Sequence, residues 1–415
     1  MSKTTDVLII GAGPSGSVAA AWLAARGYSV EMVERVHFPR FSIGESLLPQ
    51  SMGFLEEAGL LDHVIAGNFQ YKDGAAFRRG DEEQSLDFHD KSAEGWSTTF
   101  QVRRELFDQI LVNGAVEKGA RVTFGEQVIA FTPGRDGVSA RVRNEQGEER
   151  EIKARFALDA SGFGRVLARL LSLDKPSNFP VRKAVFCHVQ DNFTDPNFDR
   201  NKILVTVHPQ NSAIWYWLIP LADGITSIGA VGPDADLSAA GADPQSQLDK
   251  LVSQSGRMHE LLANAVQIRP AQTLAGYAAN VERLTGDGFA LLGNAAEFLD
   301  PVFSSGVTIA LKSAILAGQV LDRQFKGENV DWMADFEAPL KAGVNAFRAY
   351  VEAWYDVSLQ DIIFAQPKRA TDVKRQIISV LAGYAWDTKN PFVTNPKRHL
   401  ASVHALCARP LEGAK

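Results

Sequence analysis

Hydrophobic and polar positions along this chain fall into two periods, and the changes between them outline its elements. Val7 to Ile10 is a short, wholly apolar run, the pattern of a strand buried on both faces of a parallel sheet. An Ala-rich stretch at helical spacing follows and stops at Gly27, where a glycine cap is expected. Tyr28 to Val33 reads as a second strand and ends in the acid Glu34. RVHFPRFSIGESLLP shows no period and holds Pro39, Gly44 and Pro49, so it predicts a loop. ESLLPQSMGFLEEAGLLDHV returns to three- and four-residue spacing and predicts a helix. Residues 68 to 102 predict strands, and RRELFDQILVNGAVEKGARV a helix with a stripe at Leu106, Ile110 and Ala115. A meander through FALDA comes next, then the strand-rich segments RKAVFCHV, KILVTVHP, AIWYWLIP and ITSIGAVG. SQLDKLVSQ and VTIALKSAILAGQVLDRQF predict helices, and from about residue 330 the pattern is mostly amphipathic helix.

Composition narrows the class. A chain of 415 residues is too long for one compact core. With 45% hydrophobic and 22% charged residues it reads as an ordinary globular protein. The net charge of −6 and the shortness of the basic clusters (PKR and RR, each twice) speak against nucleic acid and anionic membranes as partners. Two cysteines far apart, Cys187 and Cys407, speak against a disulfide framework or zinc cage and fit a reducing compartment. The histidines show no metal spacing, so no metal is expected. The apolar run near the start is too short for a signal core or a membrane span, and the expectation is a cytoplasmic enzyme.

DVLIIGAGPSGSVAAAWLAARGYSVEMVER carries the first chemistry. Gly11, Gly13 and Gly16 form GxGxxG between a strand and a helix, answered by Glu34 at the end of the next strand. Gly11 makes the turn, Gly13 lets the backbone approach a pyrophosphate, and Gly16 lets the helix pack on the strand. The helix N-terminus receives phosphate, and the acid accepts from a ribose. The fingerprint alone does not separate FAD from NAD. The order of elements predicts an α/β (α+β mixed) protein: a discontinuous Rossmann-like domain over 1–67, 100–175 and 280–328, an inserted antiparallel substrate-side sheet over 68–99 and 176–279, and a C-terminal helical cap over 329–415.

Two more stretches bear on chemistry. In AIWYWLIP, period-two alternation puts Trp215, Trp217 and Ile219 on one face and Ile214, Tyr216 and Leu218 on the other. Packing of a buried strand explains such aromatics as well as a functional wall does. In FLDPVFSSGVTIAL a loop enters a helix at Ser304, Ser305, Gly306 and Val307. That helix end would stabilise an anion, and a plain N-cap by Ser304 or Ser305 is the alternative.

GAGPSG, FPRFSIGESLLP, RRELFD, DASGF, WYWLIP and FLDPVFSSG stand in this order over essentially the whole chain. Together they resemble the FAD-dependent halogenases, within the p-hydroxybenzoate-hydroxylase-like flavoproteins. WxWxIP (Trp215, Trp217, Ile219, Pro220) and FxxPxxSxG (Phe298, Pro301, Ser304, Gly306) are the more specific motifs. The resemblance implies that Gly11, Gly13, Ser15, Gly16 and Glu34 hold the FAD diphosphate and ribose, that Arg40 and Arg104 contact the cofactor, and that Val128 meets the adenine side through its backbone. It implies halide at the N–H groups of Ser305 and Gly306, Val307 against the ring, Ser304 as part of the catalytic loop, and Trp215 and Trp217 as a wall between organic substrate and flavin. Lys72 falls at the family's catalytic lysine; by composition alone it would be a solvated loop lysine. Reduced FAD from a separate flavin reductase, O2 and halide would then halogenate a phenol or pyrrole, free or tethered to a carrier protein, in secondary metabolism, by a monomer or homodimer.

Two departures stand out. Asn294 replaces the usual acid at the ribityl chain, and an amide still hydrogen-bonds a hydroxyl. Phe303 stands where tryptophan halogenases carry a glutamate, which with the short length speaks against free tryptophan as substrate. The alternative reading is an FAD-dependent monooxygenase or a geranylgeranyl-reductase-like enzyme using NAD(P)H. A third is an FAD-bound scaffold without activity, hinted at by Asn294.

Overall fold

The protein is described here by a computed structural model covering residues 4–177, 179–365 and 371–407. The first PKR triplet, at 367–369, lies outside these residues. The fold is mixed α/β, built on two large sheets.

In the first sheet the parallel strands run Phe289–Leu291, Glu149–Asp159, Thr5–Ile10, Val30–Glu34, Arg121–Phe124. A meander of Glu126–Thr132 and Val138–Asn144 joins it through the long Glu149–Asp159 strand. Val7, Leu8 and Ile9 are fully buried, as their unbroken apolar run requires. Helices Pro14–Ala24 and Ser305–Phe325 pack against each other on this domain.

The second sheet orders Arg182–Gln190, Ile225–Pro233, Trp215–Pro220, Lys202–Val207, Gly74–Arg79, Glu82–Asp87. It is antiparallel except where Lys202–Val207 runs parallel to Gly74–Arg79. That pair joins two segments distant in sequence. One face of the sheet turns toward the first domain. The other packs Tyr216, Leu218 and Ile214 against Leu248 and Leu251 of the Pro244–Ser253 helix. After the long helix the chain is helical, with Ala338–Tyr355 its longest piece. Among the described residues no helix is long and apolar enough to cross a membrane.

Two local expectations are corrected. The helix predicted from ESLLPQSMGF begins only at Gln50, because Ser46 bridges to Gln101 and Leu47 donates to the carbonyl of Phe100, holding 46–47 extended. In the Arg104–Glu117 helix the buried stripe is Phe107, Leu111 and Ala115, while Leu106 is exposed. The helix is rotated so that Arg104 and Asp108, four apart, point inward as an ion pair.

Candidate functional site

The nucleotide end of the site is built by close backbone contacts. Gly11 has φ +98°, and a Cβ there would lie 2.6 Å from the carbonyl oxygen of Ala160. A Cβ on Gly16 would lie 2.0 Å from the carbonyl oxygen of Gly11. Only glycine fits either position. The helix Pro14–Ala24 therefore starts tight against its strand, with no side chain capping it. Glu34 is buried; its carboxylate accepts from the N–H of Ala12 at 2.9 Å and of Val36 at 3.0 Å.

From this turn a cavity of ≈ 440 Å³ runs between the two sheets. Gly13, Ser15 and Glu34 line it, with Arg40 and Arg104, and with Asn294, Ser304, Gly306 and Val307. Arg104 is held rigidly. Its Nε and Nη2 donate to the two oxygens of Asp108 at 2.8 and 3.0 Å, and Nη1 donates to the carbonyl of Ile43 at 2.6 Å. Arg40 reaches the same fully buried carboxylate at 3.3 Å. A buried acid between two guanidiniums fixes both at the cavity wall.

Where Ser304 and Gly306 line the cavity, it meets an open helix terminus. Asp300 accepts from the N–H of Val302 at 3.0 Å and starts a tight turn, Pro301–Phe303. Ser304 then takes φ 56° and ψ 24°, in the left-handed region that costs a non-glycine residue about 1–2 kcal/mol. Its side chain does not cap the 21-residue helix Ser305–Phe325, so Ser304 is not a plain N-cap. First-turn N–H groups and the positive dipole end stay available to an anion. Of the two residues expected at the halide, Gly306 lines the cavity, whereas the Ser305 side chain is buried.

The indole strand closes one side. Trp215, Trp217 and Ile219 line the cavity, joined by Ile203 and Val205 of the neighbouring strand. Trp217 donates Nε1–H to Ser227 Oγ at 3.1 Å and lies on Gly229, where a Cβ would meet the ring at 2.4 Å. Trp215 donates to Tyr355 Oη at 3.0 Å.

Lys72 is neither in a loop nor solvated. It ends the strand Gln70–Lys72 and is 1% exposed. Nζ donates to Ser46 Oγ at 2.7 Å and to the carbonyl of Leu47 at 2.8 Å, and lies 5.3 Å from the Phe88 ring centre. Burial pushes its ammonium down to about 7. Lys72 borders a second, small cavity of ≈ 20 Å³ with Leu48, Phe77, Phe88 and Phe303. Ile203, Val302 and Ser304 line both cavities, so these three side chains are the partition between them.

The residues fit FAD. The cavity's lining brings together the glycine-turn residues Gly13 and Ser15, the strand-end acid Glu34, and the uncapped helix terminus at Ser304 and Gly306. Val128 is not among its lining residues; it pairs with Val142, just before an irregularity in the strand register. Gly11 and Gly16 shape the turn from beneath. Asp108 and Ser46 lie inside the motifs RRELFD and FPRFSIGESLLP. Tyr355 is one of the aromatics of the helical C-terminal region, and nothing in the sequence marked its bond to Trp215.

The FAD binding domain family matches residues 4–336. The 1H-pyrrole-2-carbonyl peptidyl-carrier-protein chlorinase of Pseudomonas fluorescens is 30% identical over 96% of this chain and 93% of its own. The corresponding brominase of Pseudoalteromonas luteoviolacea is 27% identical over 93% of each chain. A flavoprotein/dehydrogenase of known structure from Cytophaga hutchinsonii is 40% identical, with a TM-score of 0.93 over 98% of this chain and 99% of that one.

Proposed function

This chain belongs to the flavin-dependent halogenases, and from that premise we propose that it places chlorine or bromine on an electron-rich ring, a pyrrole on a peptidyl carrier protein before a free phenol, in secondary metabolism. The observation that carries the reading is the pair of chambers on either side of Ser304: one ends at an uncapped helix terminus, the other at a buried lysine.

FAD, reduced by electrons from a separate flavin reductase, supplies when bound the activation of O2 that turns halide into hypohalous acid. Gly13, Ser15 and the first turn of their helix hold the diphosphate, Glu34 the ribose, Arg40 and Arg104 the flank, and Asn294 the ribityl hydroxyls. Val307 bears on the ring. The first-turn N–H groups at Ser305 and Gly306 hold the halide by charge and hydrogen bonds without a counter-cation. Trp215, Trp217 and Ile219 fill the side of the chamber where an organic ring would otherwise enter.

Lys72 acts beyond the partition. An ordinary lysine is almost wholly protonated at neutral pH; this one is divided between its two forms. The neutral amine has two N–H bonds, and Ser46 and Leu47 accept two. Its lone pair is then free toward the small cavity. Attack on hypohalous acid forms an N–halogen bond and releases water; the ring takes the halogen and the amine is restored. The protonated form would instead hold hypohalous acid by hydrogen bond. The small cavity has room for about one water. A pyrrole therefore enters only when the aromatic lining, Phe77, Phe88 and Phe303, moves.

The test is product mass. With reduced FAD, O2 and chloride or bromide, carrier-bound pyrrole gains halogen, free phenols gain less, and omission of halide abolishes the product. Oxidation of NAD(P)H by the protein alone, raised by substrate and indifferent to halide, would instead support the monooxygenase or reductase reading.

A further inference from the structure

Behind the indole wall lies a chain of buried polar groups that the halogenation chemistry does not use. The indole N–H of Trp215 donates to Tyr355 Oη at 3.0 Å, and the Tyr355 hydroxyl donates to Asp300 Oδ2 at 2.8 Å. The other carboxylate oxygen of Asp300 accepts from Val302. Arg182 lies over the Tyr355 ring, 3.3 Å from its centre, and donates to the carbonyl of Ala213. Trp215 and Asp300 are almost fully buried. Three distant parts of the chain meet here: the wall strand, the loop that opens the Ser305–Phe325 helix, and the last residue of the Ala338–Tyr355 helix.

The direction of the bonds matters. An indole has one donor and no acceptor, and an ionised carboxylate accepts only. A hydroxyl is the group that accepts from one and donates to the other. A phenylalanine would fill the same space and keep the contact with Arg182, but would leave a buried donor and a buried acceptor unpaired. Burial pushes the Asp300 carboxyl up to about 6, and Tyr355, Val302 and Arg182 pull it back toward ionisation. Tyr277 is the other titratable group that faces it.

We propose that Tyr355 is a positioning residue for the wall: its hydroxyl ties the Trp215 indole to Asp300, so that wall and helix-opening loop hold one spacing and the cofactor chamber stays closed to organic molecules. This rests on the halogenase reading. It gives the C-terminal helical region a part in coupling, meaning the share of reducing equivalents that ends in halogenated product and not in peroxide.

The test compares Tyr355→Phe, Trp215→Phe and the double variant. In the cofactor-free protein, the indole N–H resonance of Trp215 is identified by its loss in Trp215→Phe. Its exchange with solvent should quicken about tenfold in Tyr355→Phe, the scale of one lost hydrogen bond. In the FAD-loaded protein, coupling should fall about threefold to tenfold in either single variant, and the double variant should be no worse than Trp215→Phe alone. Unchanged exchange and coupling in Tyr355→Phe, or additive losses in the double variant, would overturn the proposal. If Tyr355→Phe does not fold, Trp215→Phe carries the test, because it cuts the same tie and leaves the Tyr355–Asp300 bond in place; unchanged coupling there is equally fatal. An unaltered chain that makes no halogenated product contradicts the halogenase reading, whereas a halogenating chain indifferent to Tyr355→Phe contradicts this proposal alone.

Discussion

Lys72→Ala should lower halogenated product about a hundredfold to ten-thousandfold, the range for removal of a positioned catalytic group, while reduced flavin is still oxidised and oxidised halide escapes into solution. The two effects separate because Lys72 lies beyond Ser304, Val302 and Ile203, outside the chamber that would hold the cofactor. A chemical trap for hypohalous acid, read beside product mass, measures both. Product retained at the parent rate would remove Lys72 from the mechanism. Lys72→Met carries a second expectation. Burial lowers this group from the ordinary 10.5 to about 7, so between those values the unfolded chain holds a proton that the folded chain does not. Stability therefore rises with pH across that window, and the cost of burying the charge is present in full below about 7. The methionine variant lacks the cost. It should melt higher than the parent at pH 6, by an amount on the order of 3–5 kcal/mol at most, and the gap should close as pH rises through 10.

Gly16→Val should remove most of the FAD affinity, by about two orders of magnitude. Its Cβ would lie 2.0 Å from the backbone oxygen of Gly11, so no side-chain adjustment relieves the clash. The helix Pro14–Ala24 must move from the Thr5–Ile10 strand, carrying its N-terminus away from the diphosphate position. Overpacking against a fixed backbone costs about 1–3 kcal/mol or more, and about 1.4 kcal/mol is tenfold in affinity. Flavin absorbance of the purified variant and titration with FAD would show it. Retained affinity would mean that the fingerprint turn does not hold the cofactor.

The sequence showed the parts whose physics is local. GxGxxG showed the turn, because Gly16 abuts the Gly11 backbone within it, whereas the approach of Gly11 to Ala160 comes from a strand paired across the sheet and is not local. Alternation assigned the faces of Trp215–Pro220 correctly, with Trp215 and Trp217 on the cavity and Tyr216 in the second core. The Lys72 environment was not legible. Its burial comes from Ser46, Leu47 and Phe88, brought together by strand pairing at 70–72 with 99–101 and by the extended 46–47 segment. Periodicity failed at Leu106, which is exposed, because an inward ion pair, Arg104 with Asp108, rotated the helix, while Ile110 still packs half-buried against the core. The Trp215–Tyr355–Asp300 chain spans 140 residues at one of its bonds, and no local pattern marks it.

Halide binding at the open end of the Ser305–Phe325 helix is the step on which the proposed chemistry turns. Anomalous diffraction from crystals of the FAD-loaded protein soaked in bromide locates that ion directly. A bromide within hydrogen-bond distance of the backbone N–H groups of Ser305 and Gly306, on the cavity side of Ser304, is the predicted result. Bromide absent from that helix end while bound elsewhere in the cavity, or a first turn closed by a side chain from the protein, would contradict it.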